Sequence, residues 1–205
     1  MIEIENIETW GFEHAVRGMR NPLNSWGKSD SFFYENGTNT VLGEEDLYLM
    51  HKLYKAGNEH RKYLRQIFVS MDITAPLYWW LEMDTYKVGV TCNSCSKMHT
   101  IHKKEFELND FCHEHLNEQG LLLLEEIITI LNVNRNLFLK TKDKKYWWQL
   151  IQLLPSSYNQ RRTVTMNYEN VVNIIHQRSG HKLDEWNAFV KYLERLPYIK
   201  EIMGE

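Results

Sequence analysis

Residues 65–76, RQIFVSMDITAP, constrain the fold of this chain more than any other stretch. Every second residue is apolar, and the members of this stripe are Ile67, Val69, Met71 and Ile73. A period of two is typical of a β-strand that buries one face. Pro76 suits the first turn of a helix, and the sequence LYWWLEM follows it. We therefore predict a half-buried strand that turns directly into a short helix.

Helical patterns dominate the rest of the 205 residues. Apolar residues at helical spacing predict helices over 43–57, 120–140, 142–154, 168–178 and 183–197. The segment 120–140 is apolar on most sides, which predicts a buried central helix. Residues 2–7 and 161–167 are β-like, and 13–40 predict a short helix that runs into a long loop. We predict one helix-rich α+β domain over residues 1–205.

Composition excludes several kinds of partner. The chain carries 24 Lys and Arg against 27 Asp and Glu, so no basic excess favours a nucleic-acid polymer. No apolar run reaches the roughly 18 residues of a membrane span, and the acidic N-terminus lacks a signal-peptide core. Three cysteines, an odd number, favour a reduced cytoplasmic protein over a disulfide scaffold.

The stretch 91–115, TCNSCSKMHTIHKKEFELNDFCHEH, holds all three cysteines and four histidines. Cys92 and Cys95 form one acceptable pair of zinc ligands. Cys112 and the histidines next to it lie too close in sequence for a second pair, and no glycine lets residues 92–95 turn tightly. We therefore expect no metal here. Half-buried thiols beside solvated histidines, or a catalytic Cys–His pair, are the alternatives.

Two segments of the sequence resemble the flavin-dependent thymidylate synthases, also called thymidylate synthase complementing proteins. In residues 64–98, a strand ending in Ala-Pro and a short helix precede the place of that family's Arg-His-Arg signature. Residues 150–190 carry the family's Leu-Pro, its Thr-x-Asn and its arginine-bearing helix. The matched positions of the second segment are Pro155, Thr165, Asn167, Asn173 and Arg178. More loosely, the whole chain resembles divergent members carried by phages, in which the signature has drifted.

The signature itself departs from the family pattern. Counted from Ala75-Pro76, Arg-His-Arg falls on Thr85-Tyr86-Lys87, the signature serine on Cys95 and the closing arginine on Lys97. A register shifted by one residue instead places the asparagine on Asn93, the serine on Ser96 and the arginine on Met98. Both registers stay open. Two further family arginines are replaced by Ile151 and Glu169.

The resemblance assigns candidate site residues, although none of them is a certain catalytic residue. The substrate-binding candidates are Arg178, Lys97, Cys95, Ser96 and Glu82, and the cofactor-binding candidates are Tyr86, Lys87, Asn93, Asn167 and Asn173. A guanidinium grips an anion bidentately, whereas a lysine keeps the charge but loses the fork. Asparagine both donates and accepts, which suits the edge of a flavin or nucleobase. Ordinary surface positions, and a helix cap at Asn167, are the structural alternatives.

The resemblance implies a thymidylate synthase complementing protein-like fold, with an antiparallel sheet packed with several helices. The implied reaction is reductive one-carbon transfer to C5 of dUMP, with FAD as cofactor, methylenetetrahydrofolate as carbon donor and NADPH as reductant. The implied assembly is a homotetramer. The missing arginines motivate an alternative, a catalytically inactive nucleotide-binding homologue that has lost flavin chemistry. Arg17, Arg20 and Lys28 are weaker candidates for an anion-binding lid.

Overall fold

The computed structural model describes residues 2–34 and 40–204. The strands are β1 (Glu3–Trp10), β2 (Phe32–Phe33), β3 (Thr40–Val41), β4 (Phe68–Pro76), β5 (Val90–Ser94) and β6 (Asn159–Asn167). The helices are α1 (Phe12–Arg20), α2 (Glu44–Lys55), α3 (Leu77–Met83), α4 (Lys97–Thr100), α5 (Glu118–Thr141), α6 (Lys144–Leu153), α7 (Tyr168–Arg178), α8 (Asp184–Leu193) and α9 (Ile199–Met203). Residues 35–39 of the predicted long loop lie outside the described ranges.

The main sheet is antiparallel and has four strands in the order β1-β4-β6-β5, which confirms the α+β class. Strands β2 and β3 pair as a separate antiparallel hairpin. The alternation predicted for β4 is confirmed, since Val69, Met71 and Ile73 are at most 1% exposed. Pro76 ends β4 and is the N-cap of α3, whereas the prediction placed it in the first turn of that helix.

The chain divides into two compact units. The first unit contains the described residues of 1–3, 73–85 and 93–162, and the second unit those of 4–72, 86–92 and 163–205. The core of the first unit is Ile101, Phe106, Phe111, Leu124, Leu131 and Leu150. In the second unit, Phe12 meets Tyr168 edge-on at 5.6 Å between ring centroids, and helices α7 and α8 pack together.

Helix α5 in the first unit confirms the predicted helix but not its burial. Leu124 and Leu131 are its buried residues, whereas Leu122, Leu123 and Val133 are 53% to 61% exposed. The reason is that α5 packs on α6 along one stripe, while its other apolar sides lie uncovered by the described chain. A helix that is apolar all round needs cover, but its sequence does not say whether its own chain supplies it.

Asp46 on α2 organises the segment that follows α1 in the second unit. Its buried carboxylate accepts from the Nε of Arg20 at 2.6 Å and from the hydroxyls of Ser29 and Ser31 at 2.7 and 2.6 Å. The Arg20 side chain is only 4% exposed and is paired with Asp46. This corrects the expectation that Arg20 contributes to an anion-binding lid. Across the described ranges, no helix combines the length and apolarity that crossing a membrane requires.

Candidate functional site

The loop between α3 and β5 is fastened to α7 within the second unit. The Asn170 side chain donates to the carbonyl of Gly89 at 3.2 Å, and the Tyr86 hydroxyl donates to the Gln177 side chain at 2.9 Å. Tyr86, a cofactor-binding candidate, therefore lies against the helix that carries the matched arginine.

Arg178 is half-buried at the C-terminal end of α7. Its Nε donates to the Tyr86 hydroxyl at 2.9 Å, and its guanidinium carbon lies 4.4 Å from the centroid of the buried Trp186 ring. Its Nη1 lies 3.2 Å from Nε2 of His181. Because Nδ1 of His181 accepts from a backbone N–H, Nε2 of the neutral ring carries the proton and does not accept from the arginine. The stack on Trp186 and the bond to Tyr86 therefore hold the fork in one orientation.

Asn167 is the N-cap of α7, which confirms the helix cap predicted as the alternative to a binding role. Its side-chain oxygen accepts from the backbone N–H of Asn170 at 3.1 Å, so its amide nitrogen faces the loop. Gly89 lies under that nitrogen with φ of 74°, and a Cβ there would come within 2.7 Å of it. Glycine is required because the backbone is left-handed and the space is filled. No pattern in the sequence indicates this contact.

Asn173 lies on α7 one turn after Glu169, and both contact Arg61. The guanidinium donates from Nε and Nη2 to one oxygen of Glu169, at 3.1 and 2.9 Å. Nη2 also donates to the Asn173 side-chain oxygen at 3.2 Å. Arg61 was missed from the sequence because it stands in a polar segment, EHRKYLRQ, with no period that points to α7.

Cys95, Ser96 and Lys97 lie together in the first unit, where β5 ends and α4 begins. The backbone N–H of Cys95 donates to the carbonyl of Arg161 at 3.1 Å, and its own carbonyl accepts from the Gln160 side chain at 2.8 Å. Ser96 is exposed and is the N-cap of α4. Cys95 is thus held to β6 by one backbone bond and one side-chain bond.

None of these three residues lines a cavity of about 390 Å³ in the second unit, whereas Cys95 and Lys97 line one of about 340 Å³ in the first unit. The second of these cavities is lined by Cys95, Lys97, Tyr158, Asn159 and Arg161 among others. Burial lowers the pKa of Lys97, and the nearby charge of Arg162 lowers it further. A bound anion would oppose both effects at Lys97, but Glu3 and Asp110 line the same cavity and would repel it.

The remaining candidates are less constrained. Glu82 is half-buried, while Asn93 and Lys87 are exposed. Arg162 in the first unit, which lies in the segment 161–167 predicted to be β-like, stacks over Trp80 at 4.2 Å and pairs with Asp84 at 2.7 Å. That pair holds the end of α3 against β6.

The second half of the Cys/His stretch forms a local cluster in the first unit. The Cys112 thiol donates to a carboxylate oxygen of Glu114 at 2.9 Å and accepts from the Tyr78 hydroxyl at 3.1 Å. Within the described ranges, no three His, Cys, Asp or Glu side chains are grouped so that they could hold a metal ion. All three cysteines are free thiols.

The fold of this chain is similar to that of the flavin-dependent thymidylate synthases. One similar structure is flavin-dependent thymidylate synthase ThyX from Helicobacter pylori complexed with FAD and dUMP, with 20% identity, a TM-score of 0.67, and coverage of 100% of this chain and 97% of that chain. A second Helicobacter pylori ThyX structure with FAD and dUMP has 20% identity and a TM-score of 0.68, and covers 100% and 98%. The resemblance drawn from residues 64–98 and 150–190 is confirmed at the level of the fold. No protein-family model and no curated protein matches the sequence.

Proposed function

We propose that the protein binds FAD and dUMP and transfers a one-carbon unit reductively to C5 of dUMP. Methylenetetrahydrofolate is the proposed carbon donor and NADPH the proposed reductant. The observation that carries this proposal is the match over the whole chain to the fold of structures that hold FAD and dUMP. The residues around α7 and around α4 support it separately.

The donors around α7 suit the carbonyl-rich ring of a flavin. We assign cofactor binding to Tyr86, Lys87, Asn93, Asn167 and Asn173. Asn167 turns its amide nitrogen toward the loop, and Asn173 is held by Arg61. Bound FAD would supply the hydride. The task of these side chains is to orient the ring, which neutral amides do without burying a charge.

The nucleotide is assigned to Arg178, Lys97, Cys95, Ser96 and Glu82. Arg178 offers a planar fork held by two aromatic neighbours, which suits a phosphate or the carbonyl edge of a pyrimidine. Lys97 offers a point charge in a cavity. Glu82 would repel a phosphate but can accept from a base N–H.

A second candidate function is an inactive homologue that binds the nucleotide but has lost flavin chemistry. Thr85 and Lys87 stand where the resemblance expects arginines, and both are exposed. Each lost charge-assisted bond weakens binding by about 1.5–3 kcal/mol, so two losses lower the affinity by about two to four orders of magnitude.

The assembly that we propose is a cytoplasmic homotetramer acting as one functional domain per chain. The exposed apolar sides of α5 support self-association, because contiguous apolar surface on a helix is usually covered. Three free thiols suit a reducing compartment.

Flavin binding tests the proposal directly. The purified protein is incubated with FAD, with and without dUMP, desalted, and measured by visible absorbance. We expect retained flavin and a spectral shift on adding dUMP. Release of tritium from C5-labelled dUMP, in the presence of methylenetetrahydrofolate and NADPH, then separates the enzyme from the inactive homologue. Failure to retain FAD at high concentration under both conditions contradicts the proposal.

A further inference from the structure

The contact between Arg61 and Asn173 fixes which way round the asparagine amide lies. A guanidinium has donors only, so the atom of Asn173 that lies 3.2 Å from Nη2 must be the side-chain oxygen. The amide nitrogen then points away from Arg61 and, within the described ranges, makes no hydrogen bond. Asn173 in this protein therefore presents N–H donors, rather than a carbonyl, to anything that binds beside it.

Arg61 itself is held firmly enough to impose this orientation. Two of its nitrogens donate to Glu169, and its guanidinium carbon lies 5.6 Å from the centroid of the Tyr54 ring. The Arg61 and Glu169 side chains are only 13% and 12% exposed, so water screens their attraction weakly. Since Glu169 and Asn173 are four residues apart, they lie on one face of α7 and share the guanidinium.

We propose that Arg61 is a positioning residue that commits Asn173 to donate, so that the ligand atom bound there is a hydrogen-bond acceptor. This inference rests on the proposed function, and it adds the identity of the ring edge. The acceptor is a ring carbonyl oxygen, as found on the isoalloxazine of FAD. A ring N–H or an exocyclic amino group at that point would meet the Asn173 amide donor against donor and bind poorly.

The test uses FAD as the probe and compares variants of Arg61 and Asn173. Arg61→Gln is combined with Glu169→Gln so that no buried charge is left alone. Without the guanidinium the amide is free to rotate, and we expect FAD affinity to fall about 3- to 10-fold, the worth of one neutral hydrogen bond. In an Asn173→Ala background the same double change should have no further effect. Arg65→Gln, an exposed arginine of the same segment, is the matched control.

Asn173→Asp separates donating from accepting. The carboxylate keeps the shape and the partner Arg61 but replaces the donor with an acceptor. We expect it to bind FAD more weakly than Asn173→Ala does, because two acceptors then face each other. If Asn173→Asp binds as tightly as the wild type, Asn173 accepts from the ligand and the proposal is overturned. Equal losses from the Arg61 and Glu169 changes with and without the Asn173 side chain overturn it as well.

A ligand-free measurement separates failure of this inference from failure of the proposed function. The side-chain ¹H–¹⁵N amide signal of Asn173, assigned by its loss in Asn173→Ala, should move in the Arg61→Gln, Glu169→Gln protein. If it moves and no variant binds FAD, Arg61 still positions Asn173 but the proposed cofactor is wrong. If it does not move, Arg61 does not set the amide, whatever the protein binds.

Discussion

Replacing Arg178 separates its structural role from its proposed role in binding dUMP. In Arg178→Lys the charge remains but the Nε–H that reaches the Tyr86 hydroxyl at 2.9 Å and the planar fork are lost. In Arg178→Ala the contact with Trp186 at 4.4 Å is lost too. The two variants therefore remove the interactions of this side chain in two steps.

The structure sets the size of each step. A half-buried cation over a tryptophan contributes about 1–2 kcal/mol, and the bond to Tyr86 about 1 kcal/mol. Arg178→Ala should then destabilise the protein by about 2–3 kcal/mol, or a Tm drop of roughly 4–12 °C, since each 1 kcal/mol shifts Tm by about 2–4 °C at this chain length. Arg178→Lys should cost about 1 kcal/mol.

Titration calorimetry with dUMP measures the binding role at a temperature where all variants are folded. We expect the affinity to fall about 10-fold in Arg178→Lys and about 10- to 100-fold in Arg178→Ala, the worth of a charge-assisted hydrogen bond. Lys191→Ala on α8, an exposed cation, is the matched control and should bind as the wild type does. Unchanged dUMP affinity in Arg178→Ala, with the Tm lowered as expected, would show that this arginine is purely structural.

Two further predictions concern the second unit. Asp46→Asn leaves Arg20 as a buried cation without its carboxylate, so it should lower the free energy of unfolding by about 3–5 kcal/mol in urea titrations at neutral pH. Burial alone would raise the pKa of Asp46, but hydrogen bonds from two serines and Arg20 outweigh it and hold the pKa below its ordinary value. This carboxylate therefore contributes stability above its unfolded pKa of about 3.9 that is lost as the pH falls through the lower folded pKa. The difference in free energy of unfolding between the wild type and Asp46→Asn should therefore decrease as the pH falls below about 3.9. A difference that stays constant over this range would contradict this explanation. Gly89→Ala should lower the free energy of unfolding by about 1–2 kcal/mol for its left-handed backbone alone. It should also weaken FAD binding, because the added Cβ would displace the Asn167 amide. Unchanged stability in thermal melts would contradict the backbone argument.

Local patterns predicted the elements that depend on neighbouring residues. The alternation before Ala75-Pro76 gave β4, and the cap chemistry of Asn167 gave the start of α7, since both signals lie within a few positions. The order and spacing of the same two segments led to the fold. The prediction that α5 is buried was wrong. An apolar sequence shows that a helix has apolar surface to bury, but it does not show which part of the chain packs against that surface.

Contacts between distant positions of the chain were outside the reach of sequence reasoning. Arg61 lies 108 positions before Glu169, and Asp46 lies 26 positions after Arg20. No periodicity connects such pairs, and each of these residues is of a charged type that is ordinarily exposed to solvent. The sequence therefore predicts which residues belong to the site but not how their side chains are oriented. Asn173 is an example: an asparagine can both donate and accept, but its oxygen is taken up by Arg61 and only its N–H groups remain for a ligand.

The two positions where the signature arginines are replaced, Thr85 and Lys87, do not hold the loop in place, whereas Tyr86, which stands where the signature has histidine, does. The Tyr86 hydroxyl bonds to Gln177 and Arg178, and the Gly89 carbonyl bonds to Asn170, so the loop is fastened to α7 without a signature arginine. Lys87 is exposed and can change without moving the loop. Because the bonds of Tyr86 and Gly89 to α7 do not depend on the replaced signature arginines, the loop can keep its place whether or not flavin is bound. The distinction between an enzyme and an inactive homologue therefore rests on the remaining donors, Arg178, Lys97 and Asn173, and on whether they bind FAD and dUMP without the signature arginines.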